Sequence, residues 1–216
     1  VLGHLELSRT DSGTSTVGAL EFQQMSPSPP HLSVSEMGLN IAKAAQISGV
    51  SLSLSNGGEL ILQDGGTFDN SNVDFNDSVF KPTGAVSVTN GSFNLHGTSS
   101  VVLQGDTTFS HSGDIYWSEL DLNGNSLTFG GEVANISIGE ALNIANGESL
   151  ISGSSRLHFD NTLTIDDGGE LISGTGDVRV MAPLTLNGEL EQGGGVIDLV
   201  QGGTVGATGR LDISGS

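Results

Sequence analysis

Apolar and polar residues alternate along most of this chain in bursts of three to five positions, as in Leu52/Leu54, Leu60/Leu62, Val86/Val88, Leu142/Ile144, Leu163/Ile165 and Leu184/Leu186. A period of two puts one set of side chains on a buried face and the other in solvent, which predicts short half-buried strands. Six Asx-Gly pairs close such bursts: Asn56-Gly57, Asn90-Gly91, Asn123-Gly124, Asn146-Gly147, Asp167-Gly168 and Asn187-Gly188. Asn-Gly between strands is ordinarily a hairpin signal. Here the successive spacings are 34, 33, 23, 21 and 20 residues, so the second half repeats with a period of about 21. Residues 141–161 and 162–182 align without a gap, apolar on apolar at every burst, with three bursts in each. Three strands and three corners in 21 residues describe one coil of a parallel β-solenoid rather than a hairpin. One coil cannot stand alone, because ordering each residue costs about 1–2 kcal/mol. Stacked coils supply the missing terms through shared strand hydrogen bonds and core contacts. Asn at matching corners would also form a side-chain amide ladder along the stack.

The pattern divides the chain into residues 1–49, an irregular N-terminal capping region, and residues 50–216, the solenoid. Within the first part, Met37, Ile41, Ala44 and Ala45 recur at helical spacing, which predicts a short helix over residues 35–47 with Ser35 as its N-cap and Gly49 as its stop. That helix reads better as a lid over the open end of the stack than as a partner-binding helix. Between Asn56 and Asn123 the phase is broken, and a loop insertion near residues 70–81 would account for it.

Composition narrows the function. With 25 acidic residues against six Lys and Arg, the net charge is −19, and residues 50–216 hold 21 of the acidic groups and four of the basic ones. Such a chain repels phosphate backbones and anionic lipid, so neither nucleic acid nor membrane insertion by this segment is expected. There is no cysteine, which excludes disulfides and thiolate metal sites. The start at Val1 and the stop just after a strand are read as a segment of a longer protein.

Candidate chemistry is sparse. No nucleophile elbow, phosphate loop or zinc pattern occurs, and the five histidines show no metal spacing. Arg156 and Arg179 both point outward by strand parity and could meet an acidic glycan, although isolated surface arginines are the simpler reading. The densest carboxylates are Glu148, Asp166, Asp167, Glu170, Asp177 and Glu189, with Glu148, Glu170 and Glu189 at equivalent corners. They are the candidate ligand stripe, with Ca²⁺ as the candidate cofactor because hard cations take several carboxylate oxygens. A solvated corner that repeats Gly-Glu-Leu explains the same column without a ligand.

The segments LSLSNGGELILQDGG, from Leu52, and LTIDDGGELISG, from Leu163, resemble the repeats of bacterial autotransporter passengers and filamentous-haemagglutinin-type adhesins. The resemblance is one of repeat style and covers residues 50–216. It implies an all-β, right-handed parallel β-helix at the cell surface or secreted, in a large protein that mediates attachment, self-association or biofilm formation. Its implied partners are a host-surface or matrix component, a glycan, or further copies of the chain. The chain is read as a non-enzyme, and a polysaccharide-degrading enzyme of the pectate-lyase-like β-helix class is the alternative.

Overall fold

A computed structural model describes residues 4–8, 14–17, 21–22, 31–130 and 134–214, the first three of these as backbone only. The described residues are all-β, without a helix, and their parallel sheets stack as a β-solenoid of about nine turns some 21 residues apart. Two compact units divide the chain, Val1–Thr107 and Thr108–Ser216.

In the first unit each turn contributes one strand to each of three faces. The first face pairs His4–Ser8, His31–Ser35, Ser51–Ser55, Asn72–Asn76 and Ser92–His96 in that order. Register is set by burial, because a one-residue slip would turn every apolar side chain to solvent. Leu32, Leu52, Val73 and Phe93 therefore stack in one column, and Val34, Leu54, Phe75 and Leu95 in the next. All eight are buried. Phe75, Phe80 and Phe93 form an aromatic cluster with ring centroids 5.1–5.5 Å apart.

Corners are made by left-handed residues. Glu36, Asn56, Asp77 and Gly97 follow the successive first-face strands with φ between 48° and 67°, as do Gly49, Asn70 and Asn90 after Ala45–Ser48, Gly66–Asp69 and Gly84–Thr89, which pair on the third face. Asn and Asp tolerate this conformation better than other non-glycine residues, because their short side chains bond locally.

Two expectations fail here. No helix forms over residues 35–47: His31–Ser35, Gly38–Ile41 and Ala45–Ser48 are strands that pair in register with Ser51–Ser55, Glu59–Leu62 and Gly66–Asp69. Leu32, Val34, Leu39, Ile41, Ala45 and Ile47 are buried at strand spacing, while Ala44, which the helix would bury, is exposed. The corner at Glu36 resets the alternation, so Met37, Ile41 and Ala45 fall at helical intervals by coincidence. The rest of the capping region, before residue 31, lies mostly outside the described residues. Nor is there an insertion near residues 70–81, where Asn72–Asn76 and Val79–Pro82 are ordinary rungs. Asp77 turns the corner that a glycine pair turns elsewhere.

The second unit repeats the plan. Its first face orders Ile115–Trp117, Asn135–Ile138, Arg156–Phe159, Val178–Val180 and Ile197–Leu199. Leu142–Ile144, Leu163–Ile165, Leu184–Leu186 and Gly203–Val205 form its second face. Ser126–Gly130, Ser149–Gly153, Glu170–Ser173, Glu189–Gln192 and Arg210–Ile213 run together on its third. Phe109, Trp117 and Phe129 make an aromatic cluster in its core. The exposed large apolar residues concentrate in its last turn: Val196, Val200, Val205, Leu211 and Ile213.

The six Asx-Gly pairs do not occupy one corner. Asn56 follows a first-face strand, Asn90 a third-face strand, and Asn123, Asn146, Asp167 and Asn187 second-face strands. The irregular early spacings are thus a change of corner within a constant coil.

Candidate functional site

Outward side chains on the first face of the second unit surround a shallow cleft of about 540 Å³. Strand register places Tyr116, Ser137, His158, Arg179 and Asp198 in one column across five successive strands. Asn135 and Arg156 stand side by side in the column next to it. Both arginines face solvent, as their parity predicts, and each pairs with a carboxylate of the following turn: Arg156 Nε lies 3.4 Å from Asp177 and Arg179 Nε 3.3 Å from Asp198. His158 Nε2 is 2.8 Å from Asp160 Oδ1, and Asn135 Nδ2 donates to Asp114 Oδ1 at 2.8 Å.

Tyr116, 52% exposed, is the aromatic surface of the cleft. A Cβ at residue 139 would come within 2.8 Å of the Tyr116 hydroxyl, so Gly139 leaves the space into which that ring leans. The cleft is lined by three carboxylates, Asp114, Asp160 and Asp177, against two guanidinium groups, with His158, Asn135 and Ser137 between them. Fixed planar donors and acceptors around one exposed ring can bind a polar molecule that also has an apolar face. Tyr116 and His158 are two strands apart, about 9.6 Å at the usual strand spacing, so they do not act on one proton.

The six carboxylates of the expected stripe do not assemble. Register aligns Glu170 with Ser149 and Glu189 rather than with Glu148. Glu148, one residue earlier, is 7% exposed and serves its own corner: Oε1 accepts from the Gly124 amide at 2.6 Å and Oε2 from the Ala145 amide at 2.8 Å. Glu189 pairs with Arg210 at 2.9 Å, and Asp166 accepts from Asn143 Nδ2 at 3.0 Å. Asp167 sits at a second-face corner beside Gly168, whereas Asp177 belongs to the first-face cleft. No group of three or more His, Cys, Asp or Glu arranged to hold a metal ion is found among the described residues.

Asparagines bond along the stack both at corners and within strands. At corners Asn90 donates to Asp69 and Asn56 to Ser35, and within strands Asn94, Asn135 and Asn143 donate to Asp74, Asp114 and Asp166. Four of these five bonds run from an amide to a carboxylate, in which the charged acceptor strengthens each bond. Tyr116 and the whole cleft escape sequence reading because their register is invisible until the coils are stacked; the parity of Arg156 and Arg179 was the one available signal.

Comparison with protein-family models, with curated proteins and with solved structures finds no match for this chain.

Proposed function

We propose that this chain is a structural and adhesive segment of a large secreted or surface-anchored bacterial protein, serving attachment, self-association or biofilm formation. One observation carries the reading. Inward positions of the second unit are mostly apolar, with Ser152, Ser173 and Gln192 as buried polar exceptions on its third face, whereas its first face presents a chemically varied, in-register outward column from Tyr116 to Asp198. A rigid sheet holding Tyr, His, Arg, Asn and Asp side chains at fixed spacing is suited to recognition without moving parts. The repeat style shared with autotransporter passengers and filamentous-haemagglutinin-type adhesins supports the same reading, as does the acidic surface.

The test is binding of the 216-residue chain to immobilised extracellular-matrix proteins, to glycans and to itself. Saturable binding to any of these, by a chain with the circular dichroism of a β-protein, is the expected result. A folded chain that binds none of them overturns adhesion and leaves a spacer.

The alternative, a polysaccharide-degrading enzyme, draws on the His158–Asp160 contact in the cleft. It requires release of reducing ends or unsaturated uronates that stops in His158→Ala.

A further inference from the structure

We infer that the Tyr116 cleft is a binding site for an uncharged oligosaccharide. The inference rests on the adhesive reading above and names its ligand class.

Three features of the cleft select that class. First, Tyr116 is the only tyrosine in the chain, and its ring is half exposed on a sheet face instead of being packed inside. The C–H face of a pyranose packs against such a ring, and a tyrosine offers this contact at little cost in side-chain freedom. Secondly, the groups around it are planar and already oriented. Asp177 and Asp198 hold the arginines, Asp160 holds His158 and Asp114 holds Asn135. Vicinal hydroxyl pairs both donate and accept, so they match a wall in which carboxylate, guanidinium and amide alternate. An apolar ligand would strip water from these groups without replacing their bonds.

The third feature is charge. Arg156 and Arg179 suggest an anionic ligand only until their partners are counted. Each guanidinium is paired with an aspartate, and the cleft lining holds three carboxylates against two arginines. A uronate or sulfate would have to displace Asp177 or Asp198 and approach a chain of net charge −19. A neutral sugar meets neither obstacle.

Gly139 supplies a control that leaves the wall untouched. A methyl group there would meet the Tyr116 hydroxyl at 2.8 Å, the far end of a side chain that can move aside, and lie 3.3 Å from the Ser118 carbonyl oxygen, so Gly139→Ala shifts the ring without removing any polar group.

The experiment places the chain on arrays of immobilised glucose, galactose, mannose and N-acetylglucosamine oligomers, with polygalacturonate as the anionic arm. Retention on at least one neutral oligomer is expected, about tenfold weaker or more in Tyr116→Ala and weakened in Gly139→Ala, both variants melting within a few degrees of the parent. Three results would each overturn the site: retention on polygalacturonate alone, equal retention by Tyr116→Ala, or no retention on any neutral oligomer. If matrix or self-binding persists in any of these three cases, the adhesive reading stands while the cleft assignment falls. Loss of every kind of binding by the folded parent removes both.

Discussion

Single residues at the corners couple the turns more tightly than backbone pairing alone. Asp77 turns its corner with φ 51° and also accepts, through Oδ1, hydrogen bonds from the Thr98 amide at 2.9 Å and the Thr98 hydroxyl at 3.0 Å, one turn further on. Those bonds favour the ionised form and hold its carboxyl below the ordinary value of 3.8. A carboxyl depressed in the folded state binds its proton more weakly there than in the unfolded chain. Its contribution is therefore complete above pH 3.8 and is lost as the pH falls through the lower folded value. In Asp77→Asn, which keeps a side chain suited to the left-handed corner, the fall in melting temperature between neutral pH and pH 3 should be smaller than in the parent. Parallel acid limbs for the two proteins would show that the Thr98 bonds do not stabilise the fold.

At the scale of the coil, glycine does two different jobs. Gly57 has φ 77° and open space where a Cβ would stand, so conformation alone requires it. At Gly176 a Cβ would drive into the Ser155 carbonyl oxygen of the preceding turn, so close approach requires it. Asparagine should therefore be tolerated at residue 57, where alanine costs about 1–2 kcal/mol. At residue 176 both substitutions should destabilise by about 1–3 kcal/mol or more; denaturant melts of the four variants decide this, and a tolerated Gly176→Asn would refute the packing account. The same distinction explains what sequence reading could reach. Residues 141–182 were legible because their coils keep Asx-Gly at one corner. The stretch from Asn56 to Asn123 was not, because corner-making passes among Asn56, Asp77, Gly97, Asn70 and Asn90, most of which look ordinary in sequence. Outward Arg156 and Arg179 followed from parity. Glu148 was misplaced because a spacing of 22 to Glu170 is one off the coil, enough to turn a surface carboxylate into a corner acceptor. Tyr116 gave no signal, since its neighbours Ser137 and His158 are 21 and 42 residues away.

At the scale of the whole chain, a net charge of −19 opposes association while the last turn favours it. Ile197–Leu199, Gly203–Val205 and Arg210–Ile213 each stand last in the strand order of their sheets, with Val205 60%, Leu211 47% and Ile213 57% exposed. An edge with free backbone donors and acceptors, backed by exposed apolar side chains, is a template for another strand. Repulsion between acidic copies is long-ranged at low salt and short-ranged at high salt, the screening length falling from about 10 Å at 0.1 M to about 3 Å at 1 M. The edge contact, being apolar and hydrogen-bonded, is not screened in this way. The 216-residue chain should accordingly sediment as a monomer in dilute buffer and form larger species as sodium chloride is raised. Val205→Lys with Leu211→Lys places charge on the open face, as natural edge strands do, and should keep the chain monomeric across the same range. Salt-induced association that is unchanged in the double variant would assign self-association to another surface, whereas its loss identifies this turn as the contact.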